Sequence, residues 1–312
     1  MRFAIRDDDT NFFTTPQQLS DSYSEIWDVM PPSLCVITKV KGHWPKWVEH
    51  IYKHKQNTDW QAWEQDNEVH PIHENDMLIS FLRTMVHDKK IDICFHAKHH
   101  RNEDETLPPE VEKNYVRCAE YLTKLDYAAD IRSEVAYLSD LVDYQVTVFA
   151  PPQDLLSLKG YQSVLKAGLN VCGGGISFLK KQRDTRGVLN MLKQFSFKTI
   201  FPEDPYPYVL DYKTHREMPY YFPLLPDTAL QNLIDKFEMV RRHDGDFVLS
   251  THHAEFGYGM EYDQSITLKD VLLRFLEYVA RYKVSYVTLS QLLSEHQPKQ
   301  SFRSLYHLRK HR

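Results

Sequence analysis

The feature that most constrains the fold is the alternation of short apolar strands with helical segments along almost the whole chain. The predicted strands are residues 2–6, 33–38, 91–95, 146–150, 169–172, 246–251 and 284–288. The predicted helices are residues 16–30, 75–88, 109–125, 133–141, 155–167, 230–241 and 268–282. Such alternation is typical of a parallel sheet or barrel built from βα units. We therefore predict an α/β fold.

Two regions interrupt this pattern without dividing the chain. Residues 41–74 are polar and aromatic, and their length and irregularity favour a lid or binding loop. Residues 173–226 give no clear element and begin with three consecutive glycines. Because there is no internal repeat and no linker, residues 1–300 are predicted to form one domain.

Composition excludes several classes of protein. With 312 residues, 42% hydrophobic residues and a net charge of −5, the chain suits a globular protein but not a nucleic-acid binder, which would carry a basic excess. The sequence has no run of about 18 apolar residues, so no membrane span is predicted. The N-terminus leads directly into a strand rather than resembling a signal peptide. Four scattered cysteines, without metal-site spacing, predict buried thiols in a reducing compartment, the cytoplasm.

Three consecutive aspartates, Asp7, Asp8 and Asp9, directly follow the first predicted strand. Aspartate is uncommon in strands, and adjacent like charges repel one another. A solvated strand end or a helix cap would account for a single aspartate. Three together are better explained by a cation or a hydrogen-bonding partner that holds the carboxylates, so we predict a metal-binding or catalytic role.

Candidate functional side chains follow three later strands as well. His96 and His100 come after the third strand, and their spacing of four residues would place both imidazoles on one side of a single turn. Pro151 and Gln153 lie in a corner after the fourth strand, and His252 follows a late one. A lone histidine is more often a surface residue than a ligand, but carboxyl ends of parallel strands gather at one site. One Asp with two His would leave open metal positions for water and substrate.

The order of these pieces resembles the polysaccharide deacetylases, the NodB-homology carbohydrate esterases, along nearly the whole chain. Their Thr-Phe-Asp-Asp-Gly, His-Ser/Thr-x-x-His and Leu-x-His motifs correspond to Arg6-Asp-Asp-Asp-Thr10, His96-Ala-Lys-His-His100 and Leu249-Ser-Thr-His252. The resemblance implies that Asp9, His96 and His100 bind the metal, Asp8 is the general base and His252 is the general acid. It also implies a distorted (β/α) barrel, Zn²⁺ or another divalent transition metal, and removal of an acetyl group from an amino sugar.

The chain departs from the family pattern at two positions. Thr10 stands where the family has Gly, and Ala150 stands where it has the arginine that orients the catalytic aspartate. Arg6 lies two residues before Asp8 and therefore on the same face of the strand. Arg6 either replaces the family arginine or is a surface residue. The site is complete only in the first case.

The proposed chemistry assigns roles to the remaining candidates. Since Pro151 and the proline after it lack a backbone N–H, the N–H of Gln153 is the predicted oxyanion donor. His252 must stay protonated to act as an acid near neutral pH, which a nearby carboxylate would favour. Because successive side chains of a strand alternate between its two faces, His253 is expected to point away from the site. Glu255 is interpreted as a surface charge rather than a partner of the site.

These inferences predict a cytoplasmic metal-dependent carbohydrate deacetylase, a hydrolase of the C–N bond of a linear amide. The expected substrate is an N-acetylated sugar linked to a nucleotide or a lipid, a precursor of lipopolysaccharide or capsule. Two alternatives stay open: a metal-dependent hydrolase of another amide or ester, and a non-catalytic sugar- or partner-binding protein that keeps the fold. The basic tail, residues 301–312, either frays or makes a weak contact with a membrane surface.

Overall fold

The computed structural model of the protein describes residues 1–52, 65–103, 118–174 and 185–294. The strands are β1 (Arg2–Thr10), β2 (Ser33–Ile37), β3 (Lys39–Lys41), β4 (Val69–Pro71), β5 (Asp92–Ala97), β6 (Val148–Phe149), β7 (Asn170–Cys172), β8 (Leu210–Asp211), β9 (Arg216–Met218), β10 (Phe222–Pro223), β11 (Asp246–Thr251), β12 (Gly259–Met260), β13 (Asp263–Thr267) and β14 (Ser285–Tyr286). The α-helices are α1 (Pro16–Tyr23), α2 (Trp44–Tyr52), α3 (Asp76–His87), α4 (Ala128–Val142), α5 (Leu158–Lys166), α6 (Thr185–Ile200), α7 (Leu230–Arg242), α8 (Leu268–Val279) and α9 (Leu289–Ser294).

The main sheet is mostly parallel and curls into a half-barrel. Its strand order is β10-β11-β1-β2-β5-β6-β7-β9-β8, and β8 is antiparallel to β9. β14 pairs with the first residues of β1, while β2 pairs with its last residues. The prediction of an α/β fold with a barrel-like parallel sheet is confirmed.

β1 is the centre of the sheet because its side chains alternate between two apolar layers. Phe3 stacks on Phe247 with ring centroids 5.2 Å apart and packs in the larger core. Ala4, on the other face, belongs to a smaller cluster that includes Leu292 of α9. Burial of one aromatic or branched side chain contributes about 1.5–3 kcal/mol. The apolar half of β1 therefore fixes the position of the polar residues that follow it.

Several element boundaries agree with the sequence predictions and a few do not. Asn75 caps α3, since its side chain accepts a hydrogen bond from the Leu78 N–H at 3.0 Å. The first helix is shorter than predicted and ends at Tyr23. The predicted helix 109–125 is wrong over 118–125, where the chain makes turns, and its remainder lies outside the described residues. Helix α6 was not predicted at all.

Two further predictions concern the whole chain. All four cysteines are buried and carry free thiols, as the sequence predicts. In the part of the chain that the structure describes, no helix has the length and apolar character needed to cross a membrane. The predicted lid or binding loop contains α2 and β4, and β4 pairs antiparallel with β3 at the start of the loop. Residues 53–64 and the tail 301–312 lie outside the described ranges.

Candidate metal centre and active site

Asp9, His96 and His100 come together at the carboxyl ends of β1 and β5. Asp9 Oδ1 lies 3.2 Å from His96 Nε2 and 3.3 Å from His100 Nε2. One potential ligand atom from each residue lies within 4.8 Å of the other two. Both histidines are buried, and the aspartate is partly exposed. The three residues that the sequence suggested as metal ligands therefore form one compact group.

Asp9 reaches this group because the end of β1 is irregular. In a regular strand the consecutive Asp8 and Asp9 would point to opposite faces. Here Asp9 has a left-handed backbone with φ of 71°, and the pairing of β1 with β2 shifts register between Asp7 and Thr10. The irregularity turns two adjacent carboxylates towards the same site. Aspartate is one of the few residues other than glycine that tolerates this conformation.

The two histidines are held by backbone groups rather than by a helical turn, so that part of the prediction was wrong. His96 lies within β5, and His100 lies in the following bend with φ of 53°. Nδ1 of His96 lies 2.8 Å from the carbonyl oxygen of Ala150. A carbonyl only accepts, so Nδ1 carries the proton and Nε2 keeps its lone pair towards Asp9. Glu120 accepts hydrogen bonds from the backbone N–H groups of His99 and His100 at 2.8 and 2.7 Å, which fixes the bend.

The group has the properties that a divalent cation requires. Asp9 Oδ1 is buried and makes no hydrogen bond, although two imidazole nitrogens face it. Burial lowers the pKa of His100 to about 4, which keeps that ring in the neutral form that binds metals. Burial acts the same way on His96, but Asp9 and Asp8 outweigh it and raise its pKa. A proton on His96 Nε2 and a cation thus compete for the same position. The ligand atoms of Asp9, His96 and His100 fit a metal ion.

Asp8 is held by Arg6, and the alternative of a surface arginine is excluded. Arg6 is 0% exposed. Its Nε donates to Asp8 Oδ1 at 2.8 Å, and a second guanidinium nitrogen lies 2.6 Å from Asp8 Oδ2. Burial alone would raise the pKa of Asp8, but the Arg6 guanidinium outweighs it and lowers that pKa. Asp8 is therefore an oriented carboxylate at neutral pH.

Residues with left-handed backbone conformations surround the guanidinium of Arg6. The third nitrogen of the guanidinium donates to Asp154 at 2.9 Å, and the guanidinium lies over the ring of Tyr221 at 4.9 Å. Gln153 and Asp154 both have left-handed φ values, 53° and 52°. Gly173 has φ of +96°, and a Cβ there would lie 2.9 Å from the Arg6 guanidinium. The corner at 151–154 and the first glycine after β7 thus shape the space for Arg6.

His252 and His253 point to opposite sides of β11. His252 Nε2 lies 3.7 Å from Asp9 Oδ2, and its Nδ1 lies 2.9 Å from Glu255 Oε1. Glu255 is 1% exposed, so its interpretation as a surface charge was wrong. His253 Nδ1 lies instead 2.7 Å from Asp7 Oδ1. Asp7 also accepts a short hydrogen bond from the Tyr23 hydroxyl, which assigns it to the core.

Glu255 determines the protonation of His252. Burial would lower the pKa of His252, but the charge of Glu255, followed by Asp9 and Asp8, raises it well above the ordinary value. The contact is an ion pair rather than a well-aligned hydrogen bond. A cation bound by Asp9 would offset the charge of that aspartate, which leaves Glu255 as the main support of the imidazolium.

We expect Glu255→Gln to lower the pKa of His252, because the substitution removes the negative charge and keeps the shape of the side chain. A general acid with a lower pKa is deprotonated at lower pH. The alkaline limb of the pH–activity profile should therefore move to lower pH. The matched control is Glu261→Gln, which neutralises an exposed carboxylate. An unchanged alkaline limb in Glu255→Gln would show that Glu255 does not set the pKa of the general acid.

Sequence reasoning missed Glu120 and Asp154 and assigned Glu255 to the wrong environment. Glu120 lies in a predicted helix that does not form, and the other two lack the spacing of any motif. Two tryptophans of the predicted binding loop, Trp44 and Trp47, are core residues at 5% and 3% exposure. Trp44 packs edge-on against His100 with ring centroids 4.9 Å apart and so supports that candidate metal ligand.

Two partly exposed phenylalanines, Phe12 and Phe13, come shortly after β1. Phe12 stacks on His70 with ring centroids 5.3 Å apart, and Phe13 lies 5.4 Å from His43. Both phenylalanines pack against a small apolar cluster that includes Trp44, the residue that contacts His100. Their partly exposed rings are candidate surfaces for stacking on a flat apolar face of a ligand.

Comparison with known proteins gives similarity at the level of the fold. No protein-family model and no curated protein sequence matches the chain. Among solved structures, a family 4 acetyl xylan esterase from Clostridium thermocellum, in complex with a cobalt ion, is 12% identical with a TM-score of 0.46. The similarity covers 94% of this chain and 90% of the esterase.

Two other similar structures differ in their described activity. A CE4 family pseudoenzyme from Bacillus anthracis is 12% identical over 96% of this chain and 69% of its own, with a TM-score of 0.42. A 4-alpha-glucanotransferase from Thermococcus litoralis is 13% identical over 96% of this chain and 41% of its own, with a TM-score of 0.49. Similarities this distant assign neither a substrate nor a metal, so the function has to be argued from the site.

Proposed function

We propose that the protein is a metal-dependent deacetylase that removes the acetyl group from an N-acetylated sugar. The observation that carries the proposal is the convergence of Asp8, Asp9, His96, His100 and His252 at one end of the sheet. A ligand group, an oriented carboxylate and an acid are the three components that metal-assisted amide hydrolysis needs. The sequence resemblance to polysaccharide deacetylases assigns the same residues to these roles.

Asp9, His96 and His100 would hold the cation. A divalent ion such as Zn²⁺, when bound, polarises a carbonyl and lowers the pKa of its water to roughly 7. Asp8 takes the proton of the water that attacks the acetyl carbon, because Arg6 keeps it ionised and oriented. The backbone N–H of Gln153 is the proposed donor to the developing oxyanion, because Pro151 and the proline after it have no N–H.

His252 completes the reaction. The C–N bond breaks as protonated His252 gives its proton to the leaving nitrogen, so that the products are acetate and the free amine. Glu255 keeps His252 in the protonated form in which it can act. After the C–N bond has broken, Asp8 carries the proton taken from water and His252 is neutral. The site returns to its starting state when Asp8 releases its proton and His252 takes one up from solvent.

The substrate we propose is a nucleotide- or lipid-linked precursor of a surface polysaccharide. The partly exposed rings of Phe12 and Phe13 support a sugar, since aromatic faces stack on the apolar faces of pyranoses. The four buried free thiols support a reducing compartment, and hence the cytoplasm. The basic tail offers a weak contact with lipid, as the sequence suggested.

Metal analysis of the purified protein, together with acetate release from N-acetylated nucleotide and lipid-linked sugars, tests the proposal. We expect one divalent metal per chain in the wild type and loss of most of it in His96→Ala. The control is His99→Ala, because His99 Nδ1 hydrogen-bonds to the Lys39 carbonyl and faces away from Asp9. Full metal occupancy in His96→Ala would contradict the ligand assignment.

The same experiment separates the alternative functions. Bound metal without acetate release from any sugar, combined with hydrolysis of another amide or ester, would indicate a different hydrolase. Bound sugar and metal without any hydrolysis would indicate a non-catalytic binding protein. Acetate release that depends on His96 supports the deacetylase.

A further inference from the structure

Helix α6 exposes a stripe of apolar side chains that no other described part of the chain covers. Phe195 is 66% exposed, Leu192 46%, Leu189 42% and Val188 41%. Val188, Leu192 and Phe195 are spaced by four and three residues, so they lie along one face of the helix. A single exposed leucine is ordinary, but four such side chains on one helix form a patch.

The opposite face of α6 is attached firmly to the protein. The buried residues of the helix are Gly187, Asn190 and Phe197. The Asn190 side chain donates to the Asp211 carbonyl at 3.1 Å, and Phe197 packs against Tyr206 with ring centroids 5.5 Å apart. Within the described ranges, the apolar stripe is therefore the outward face of an anchored helix.

The charges of α6 have one sign. The helix contains Arg186, Lys193 and Lys198 and no acidic residue, although the protein as a whole has a net charge of −5. At 100° per residue, Lys193 lies beside one edge of the apolar stripe and Lys198 beside the other, whereas Arg186 lies towards the anchored face. Arg186 pairs with Asp211, whose carbonyl also accepts from Asn190 of the anchored face, and Lys198 Nζ donates to the Pro202 carbonyl at 3.1 Å. The two lysines therefore supply the positive charge beside the stripe.

We propose that this face of α6 binds the surface of an anionic lipid bilayer. Apolar side chains along the centre of a helix with basic side chains at its edges are the arrangement by which interfacial helices bury their apolar face among headgroups. The charge pattern disfavours a second copy of the chain, because a symmetric dimer through this face would bring the basic residues of both copies together. The 16-residue helix would lie about 24 Å along the membrane surface.

The inference concerns a surface outside the active site and does not depend on the deacetylase proposal. It also differs from the suggested contact through the basic tail, which lies beyond the described residues. If both proposals hold, α6 brings the active site to the surface where lipid-linked substrates are found. Vesicle binding is measured without substrate. The membrane-binding proposal can therefore fail while the deacetylase proposal stands, and the deacetylase proposal can fail while the membrane-binding proposal stands.

Sedimentation with vesicles of phosphatidylcholine alone, or of phosphatidylcholine with phosphatidylglycerol, tests the proposal. The full chain should bind the anionic vesicles, and added salt should weaken binding because it screens the basic residues. The double substitution Leu192→Glu and Phe195→Glu should reduce the partition coefficient at least about tenfold. The control is Met77→Glu on α3, which adds a carboxylate at a position 74% exposed and should bind like the wild type. Circular dichroism and metal content establish that each variant is folded.

Three results would overturn the proposal. The first is equal binding of the double variant and the wild type. The second is loss of binding when residues 301–312 are deleted, with no effect of the double substitution, which would assign the contact to the tail. The third is a concentration-dependent dimer in light scattering that the double substitution dissociates, which would identify the stripe as a protein interface.

Discussion

Replacing Asp8 with asparagine is expected to lower turnover by about 10²–10⁴-fold while the bound metal stays in place. Asparagine has the size of aspartate and keeps an oxygen that can accept from Arg6, but it cannot take a proton from water. Asp8 pairs with the Arg6 guanidinium, whereas Asp9 Oδ1 faces both imidazoles. Acetate release and metal content, measured on the same preparation, check the prediction.

The opposite phenotype is expected for Asp9→Asn, which makes this variant the matched control. Loss of a ligand carboxylate should release the metal, and turnover should fall as a consequence. The two substitutions change neighbouring residues of one strand by the same chemistry, so the contrast depends on position alone. If Asp8→Asn loses the metal and Asp9→Asn retains it, the roles of the two aspartates are reversed.

The elements that carry this site could be predicted from the sequence because their burial is regular. In β1 and β11 the apolar residues mark buried strands, and β11 has the predicted bounds. Polar residues directly after such strands can only lie at the end of the sheet. The convergence of Asp9, His96 and His252 follows from that topology, although their distances do not.

The orientation of helix α6 could not be predicted because its pattern is inverted. The residues that face the protein include Gly187 and Asn190, whereas Leu192 and Phe195 face outwards. A periodicity argument assigns apolar residues to the core and polar ones to solvent. For α6 that argument would assign Leu192 and Phe195 to the core, which is the wrong face of the helix. The same reversal is what suggests a partner for the exposed face.

The supporting residues of the site could not be predicted either, since each acts through a tertiary contact. Asp154 meets Arg6 across 148 positions of sequence, and Glu120 binds the backbone rather than a side chain of the His100 bend. Glu255 lies only three residues after His252, yet its burial depends on the packing of the surrounding loops. Distances of this kind follow from the assembled fold and not from local spacing.

Arg6 is the supporting residue with the largest expected effect on stability. Replacing it with glutamine would leave Asp8 and Asp154 without their cation, and removal of one partner from a buried ion pair typically destabilises a protein by about 3–5 kcal/mol. Denaturant unfolding of Arg6→Gln should therefore show a free energy of unfolding lower by about that amount. Because such a variant also loses activity if it unfolds, it cannot alone establish a positioning role.

Two glycine substitutions separate positioning from stability. Gly173 and Gly168 both have left-handed φ values, +96° and +89°, so alanine at either introduces similar backbone strain. A Cβ at Gly173 would lie 2.9 Å from the Arg6 guanidinium, whereas a Cβ at Gly168 would meet no atom within 4 Å. Gly173→Ala should therefore displace Arg6 and lower kcat at least about tenfold, with the metal retained. Gly168→Ala should lose similar stability and keep its kcat. Equal kcat values in the two variants would show that the position of Arg6 does not control Asp8.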